Sequence, residues 1–251
     1  MPVGNVPLHH GSAPAGPLPG GLEVACQACG LDPICSVLDY AAEDSRVPEG
    51  VLIRRRPLLR GAVLFSQGDP FQSIFAVKSG AFKLYGTQPG GQQRVIGFHL
   101  PGELIGVEAM SGDCYPCTAR ALEKSSVCEL RVHRLPETGR SLETIQRSII
   151  NLLGNEVAFS HELISSLIHQ SAEQRISGFL LSLSNRLQRR GLPNEEFNLS
   201  MSRSDIGSYL GLASETVSRI LSKLQQARLI LLHRKRARLL DRPALEHLSR
   251  S

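Results

Sequence analysis

The chain has 251 residues, 41% of them hydrophobic and 20% charged, which is enough apolar material for two modest packed domains and a connecting element. Its formal net charge of +5 favours a polyanionic partner. No apolar run reaches the roughly 18 residues a membrane-spanning helix needs, and no basic start followed by an apolar stretch marks a signal peptide, so a cytoplasmic protein without a membrane partner is expected.

Residues 1–22 are rich in Pro, Gly, Ala and His and read as a flexible tail that cannot bury enough apolar surface to fold. His9-His10 reads as a solvated pair within it. Next come Cys26, Cys29 and Cys35 in the spacing C-x2-C-x5-C, one thiolate short of a four-ligand metal site. Without an export signal the cysteines point to a reducing compartment, where clustered thiols are metal ligands more often than disulfides. Thiolates suit zinc or iron–sulfur clusters. Two completions stand open on spacing alone. The remote Cys128 suits a cluster. Cys114 and Cys117 would join Cys26 and Cys29 as the two short-spaced couples that zinc sites use.

Between about residues 50 and 135, turns recur at Gly61, Gly68-Asp69-Pro70, Ser79-Gly80, Pro89-Gly90-Gly91 and Pro101-Gly102. Short apolar or alternating stretches such as Ile74–Val77 and Val95–Phe98 lie between them. Evenly spaced turns with β-rich segments predict a small antiparallel barrel or sandwich. The period then becomes helical. Ile150, Leu153, Val157, Ser160, Ile164 and Leu167 recur at alternating spacings of three and four, a coiled-coil seam. A second stripe, Ile149, Leu152, Phe159 and Leu163, lies on an adjacent face. Two stripes on one long helix predict that one packs on its own barrel and the other on the second copy of a homodimer.

Residues 170–190 read as an amphipathic helix that stops at Arg189-Arg190-Gly191 before Pro193. Asp205–Leu210 turns through Gly211-Leu212 into Ala213–Ala227, a helix-turn-helix. Leu229–Leu240 alternates apolar and basic residues, including Lys235, as a β-wing on a DNA backbone would. The fold class is therefore α+β: a tail over 1–22, an arm and sensor barrel over 23–140, a dimerisation helix over 141–169 and a winged helix-turn-helix over 170–251.

Along the second of these helices, Glu215, Ser218 and Arg219 share one face at i, i+3 and i+4, with Ser214 and Thr216 at its start. Such a helix places its first turns in the major groove of double-stranded DNA. There Arg219 can donate twice to guanine and Glu215 can accept from cytosine N4, while Ser218 reaches a base edge or a phosphate. The plain alternative is an exposed helix with a Glu215–Arg219 ion pair. The preceding helix, the glycine turn and the basic wing favour DNA. No P-loop, G-x-S-x-G motif or paired carboxylates suggest an enzyme.

From Cys26 onward the chain resembles the FNR/ANR-type anaerobic regulators of the CRP/FNR superfamily. The resemblance rests on the cysteine trio, Ser126-Val127-Cys128-Glu129, Leu64-Phe65-Ser66-Gln67-Gly68-Asp69, Val77-Lys78-Ser79-Gly80 and Gly97-Phe98-His99-Leu100-Pro101-Gly102. It continues through Arg203–Leu212 and Glu215–Arg219. It implies a jelly-roll-like β-roll of the cyclic-nucleotide-binding kind, a long dimerisation helix and a winged helix-turn-helix. It further implies a [4Fe–4S] cluster on Cys26, Cys29, Cys35 and Cys128 when oxygen is scarce. The loaded homodimer would bind a palindrome like TTGAT–four bases–ATCAA and act as an activator with RNA polymerase, and oxygen would end that control. Val107 and Thr118-Ala119 stand where the cAMP-binding sisters carry a Glu and an Arg-Ser pair, which argues against a cyclic nucleotide. Ser214 is too short to read the extra guanine that an Arg reads there in those sisters. Ser160 is neutral where the family carries an acidic seam residue. Cys114 and Cys117 fall outside the family's ligand set and are expected to be ordinary loop thiols. The alternative within the same fold is a regulator with structural zinc or another effector, insensitive to oxygen.

Overall fold

The computed structural model describes residues 5–6, 22–38, 50–55, 57–138 and 170–250, together with residues 147, 149, 150, 153, 154, 157, 161 and 164 between them. The chain divides into two compact units, residues 1–93 with 97–156, and 157–251 with 94–96.

The first unit is built from two antiparallel sheets. β1 (Asn5–Val6) lies inside the stretch expected as a tail and pairs with β2 (Leu52–Arg55). Between them a single 3₁₀ turn at Cys26–Ala28 leads into α1 (Asp32–Val37), which Pro33 opens at its first turn. There follow β3 (Val63–Phe65), β4 (Ser73–Ser79), β5 (Phe82–Thr87), β6 (Gln93–His99), β7 (Leu104–Ile105), β8 (Thr118–Ala121) and β9 (Ser126–Arg131). One sheet runs β1-β2-β9-β4-β7 and the other β3-β8-β5-β6. The turns fall at the glycines that punctuate the sequence. The β4–β5 turn admits no other residue, because Gly80 has φ +80° and a Cβ there would lie 2.2 Å from Ser125 Oγ and 2.7 Å from Lys124 O.

Because side chains alternate along a strand, the five-stranded sheet has two apolar faces. Phe75, Val77 and Val127 meet Phe65, Phe82, Leu84, Ala119 and Ala121 of the other sheet in the barrel core. On the opposite face Leu52, Ile74, Ala76 and Leu130 are covered by Val24, Cys29, Leu31, Ile34 and Leu38 of the N-terminal arm. Ile149 and Leu153, both helical, pack on that second cluster. A polar lock joins the strands from within. Glu129 is buried and accepts from Arg55 Nε at 2.6 Å and Ser73 Oγ at 2.7 Å. Burial raises its carboxyl, but those two bonds and the nearby Arg131 outweigh it and hold the group below the usual carboxylate range.

In the second unit α2 (Ala172–Arg189) starts at a capping box made by Ser171 and Gln174. β10 (Glu196–Asn198), α3 (Arg203–Leu210), α4 (Ser214–Gln226), β11 (Ile230–His233), β12 (Arg236–Leu239) and α5 (Arg242–Arg250) follow, and the strands form a sheet in the order β10-β12-β11. Ile176, Leu180, Ile206, Val217, Leu221, Leu224, Ile230 and Leu245 fill its core. α3 ends on Gly211, at φ +67°, and Leu212 N bonds back to Gly207 O at 2.8 Å, the left-handed helix cap that reverses the chain into α4.

Candidate functional site

β9 is flanked by partners on both sides, and Cys128 stands opposite Arg54 on β2 and Ala76 on β4. That register puts its thiol on the arm-covered face of the sheet. The arm is fastened there by Val24 N donating to Lys78 O at 3.0 Å and Gly30 N donating to Gly102 O at 2.7 Å. Cys29 belongs to the apolar cluster under the arm, and Cys35 and Cys128 pack against it. Lys78, two residues beyond Ala76, donates to Val24 O and points Nζ at Cys26 Sγ, 3.6 Å away.

The four thiols feel one another. Burial pushes the Cys35 thiol up to about 12, and the neighbouring Cys29, Cys128 and Cys26 add to the rise. Burial likewise pushes Cys128 up to about 11, Cys29 adding and Lys78 and Arg54 opposing. Both shifts keep these thiols protonated, and a metal cation bound among them would reverse that by drawing off their protons. Among the described residues, no three side chains of His, Cys, Asp or Glu are gathered closely enough for a metal ion. The thiols share a neighbourhood without closing on a point.

Cys114 is exposed, whereas Cys117 is fully buried in the barrel core and donates its S–H to Glu108 at 3.3 Å. Burial, then Glu108, pushes that thiol upward. Cys117 is therefore a core side chain rather than an ordinary loop thiol. It lies in a different cluster from Cys29, so the zinc pairing of Cys26 and Cys29 with Cys114 and Cys117 is not assembled here. At the positions compared with cyclic-nucleotide receptors, Val107 and Ala119 are buried and Thr118 Oγ1 accepts from Gln67 N at 2.9 Å.

The expected seam divides. Ile150, Val157 and Ile164 stand 66%, 54% and 53% exposed at seven-residue intervals, apolar side chains left uncovered among the described residues. Leu153 leans on its own barrel instead, beside Ile149. Ser160 and Leu167 lie outside the described residues, as do Leu152, Phe159 and Leu163 of the second stripe.

α4 buries Val217, Ile220, Leu221 and Leu224 and exposes Glu215, Ser218 and Arg219, with Ser214 and Thr216 half-buried at its start. Among the described residues no ion pair joins Glu215 to Arg219. Glu215 instead accepts from Ser214 Oγ at 3.0 Å, and Ser218 Oγ donates to Ser214 O at 3.0 Å. The backbone N–H of Glu215 and the Ser214 hydroxyl hold the Glu215 carboxyl below its usual range. Arg219 is thus free of Glu215 and faces outward. Lys223 ties α4 to α2 through Glu173 at 2.6 Å, and Gln225 Oε1 accepts from Leu232 N of the wing at 2.8 Å. The wing turns at Arg234, φ +56°, and Lys235.

Sequence reasoning missed Lys78, Arg54 and Glu23 around the thiols. One signal was available: Lys78 continues the apolar run Ile74–Val77 in a strand position where a lysine is costly to bury.

A barrel carrying an arm and a winged helix-turn-helix in one chain define the architecture of a DNA-binding transcription regulator. Residues 55–138 match the cyclic nucleotide-binding domain and residues 174–248 the Crp-like helix-turn-helix domain. The chain belongs to the CRP/FNR family of DNA-binding transcription regulators. The transcriptional activator protein anr of Pseudomonas aeruginosa is 42% identical to it over 216 residues, 86% of this chain and 88% of that one. The fumarate and nitrate reduction regulatory protein of Escherichia coli is 32% identical over 230 residues, 92% of each chain. Among solved structures, FixK2 from Bradyrhizobium japonicum is similar with a TM-score of 0.70 at 27% identity, over 79% of this chain and 97% of that one. The family and these curated relatives are regulators of transcription rather than enzymes. Among the described residues no helix is long and apolar enough to cross a membrane.

Proposed function

We propose that this regulator is an oxygen-responsive activator that holds a [4Fe–4S] cluster on Cys26, Cys29, Cys35 and Cys128. As a cytoplasmic homodimer it binds a palindrome like TTGAT–four bases–ATCAA and engages RNA polymerase. One observation carries the reading: Cys29 and Cys35 of the arm and Cys128 of β9 share the apolar cluster on which Ile149 and Leu153 rest, and Cys26 lies exposed beside them, close enough to Cys35 and Cys128 to act on both. The donor set fits. Four thiols suit a soft metal or an iron–sulfur cluster, and Cys26, Cys29 and Cys128 all act on Cys35. When bound, such a group supplies a cross-link between arm and barrel and a sensitivity to oxygen.

This chain's own residues do the rest. Cys26, Cys29 and Cys35 hold the arm to β9 through Cys128, and the arm bears on the cluster that seats Ile149 and Leu153. Ile150, Val157 and Ile164, with Ser160 and Leu167, form the dimer seam, while Leu153 stays on its own barrel. Arg219 reads guanine, Glu215 reads cytosine, Ser214, Thr216 and Ser218 complete the helix face, and Lys235 touches the backbone. The names of the relatives in Pseudomonas aeruginosa and Escherichia coli, an activator and a regulator of fumarate and nitrate reduction, support the reading.

The test is the absorption spectrum and metal content of protein purified without oxygen. Brown protein with iron and sulfide in equal amounts is expected, lost in Cys128→Ser and kept in Cys114→Ser. Colourless protein carrying zinc would overturn the proposal.

A further inference from the structure

Lys78 is 7% exposed, on a sheet face whose neighbouring positions, Ile74 and Ala76, are apolar. A lysine is almost never buried unless it is paired, and taking an ammonium out of water costs several kcal/mol. Its partners here are the Val24 carbonyl and, at 3.6 Å, the Cys26 sulfur. Glu23 lies 3.9 Å from Nζ, and the same carboxylate also binds Arg54. One carboxylate therefore serves two cations. Arg54 stands directly across from Cys128, and Lys78 stands one alternation along from Ala76, the other partner of Cys128. The two cations bracket the ligand strand, and both reach the arm, Arg54 through Glu23 and Lys78 through Val24 and Cys26.

We propose that Lys78, with Arg54 beside it, is the counter-charge of the thiol site: a positioning residue that bonds Cys26 and sets the affinity and reduction potential of the group held there. The proposal rests on the cluster reading above. Four thiolates around a dicationic iron–sulfur core make a net dianion. A fixed ammonium with an N–H directed at one sulfur stabilises that dianion, and stabilises still more the state with one further electron. Hydrogen bonds to sulfur and local charge are among the levers that set cluster potentials, and outer partners of ligands tune metal affinity. Lys78 also binds the arm through Val24, so the contact that supplies the charge also places Cys26.

The test compares wild type, Lys78→Met, Lys78→Arg and Glu23→Gln after anaerobic reconstitution with iron and sulfide. Two quantities are read: iron retained against a chelator, and midpoint potential in a mediated titration. Lys78→Met is expected to hold iron about ten- to hundred-fold less tightly and to show a lower potential. Lys78→Arg restores both toward wild type. Glu23→Gln, which removes the competing carboxylate, moves the potential upward, a direction that a loosened fold does not produce. Wild-type retention and potential in Lys78→Met, or a downward shift in Glu23→Gln, would overturn the role of Lys78 while leaving the cluster standing. A wild-type protein that takes up no iron and sulfide overturns the cluster itself, and the role of Lys78 with it.

Discussion

Two chemically identical substitutions should have opposite effects in the DNA-binding unit. Gly207 lies within α3, where alanine is ordinarily preferred to glycine by about 0.8–1.0 kcal/mol. A Cβ at Gly207, however, would sit 2.5 Å from the Leu212 carbonyl oxygen. That oxygen is backbone in the turn between α3 and α4, so it cannot swing aside as a side chain does. Relief requires the two helices to part by roughly half an ångström or more. Overpacking of this kind costs about 1–3 kcal/mol, against a helical gain of about 0.8–1.0 kcal/mol, so the net loss reaches about 2 kcal/mol. Gly178 is the control: in α2, a Cβ there meets only Gln170 Oε1 at 3.9 Å. Gly178→Ala should therefore stabilise by up to about 1 kcal/mol. Thermal unfolding of the full chain, followed by far-UV circular dichroism, reads both, at about 4–8 °C per kcal/mol for a unit of this size. Titration against operator DNA reads whether α4 has moved, and only Gly207→Ala should weaken binding. A melting temperature for Gly207→Ala equal to or above wild type would refute the reasoning.

Three further outcomes follow from the geometry. Glu129→Ala strands Arg55 inside the barrel and should cost about 3–5 kcal/mol, measured by urea unfolding; a loss under 1 kcal/mol means the lock is not structural. Val157→Glu places a charge on the exposed stripe and should give a monomer in sedimentation, since each seam side chain contributes about 1.5–3 kcal/mol when buried; a variant that stays dimeric removes Val157 from the interface. Arg219→Ala should cost about 1–3 kcal/mol per half-site and flatten preference at one base pair, whereas Lys235→Ala should weaken all sequences alike and lower the salt slope. Equal weakening of every operator by Arg219→Ala would make Arg219 a phosphate contact.

Local signals were legible in the sequence and cross-chain ones were not. Gly61, Gly68, Gly80 and Gly102 announced turns because their positive φ favours glycine. The two helices around Gly211 were visible because a left-handed cap is a local event. The cysteine trio is local too, but its meeting with Cys128 depends on the β2–β9–β4 register, which no spacing displays. The Arg55–Glu129–Ser73 lock and the Lys78 contact with Cys26 were hidden for the same reason. Cys117 was expected to be a loop thiol because it falls outside the family's ligand set, while its burial comes from residues of both sheets packed around it. Leu153 sits at a seam position by period, yet the buried cluster beneath it claims its half-buried side chain.

The position of β9 in the middle of its sheet has a kinetic consequence. A slip of one residue would exchange Cys128 for Glu129 across the two faces, at once exposing the sulfur to the barrel core and pulling the carboxylate from Arg55. With ladders on both sides, that exchange requires opening the sheet, an event on the scale of global unfolding. The fourth thiol is therefore an immovable anchor, and assembly of the site is governed by closure of the arm, which backbone contacts at Glu23, Val24 and Gly30 fasten to the barrel. Such closure is unimolecular, so the rate at which the site forms should be independent of protein concentration even though the dimer it serves is not. Amide exchange should split along the same line, slow at Val127, Cys128 and Glu129 and fast across the arm.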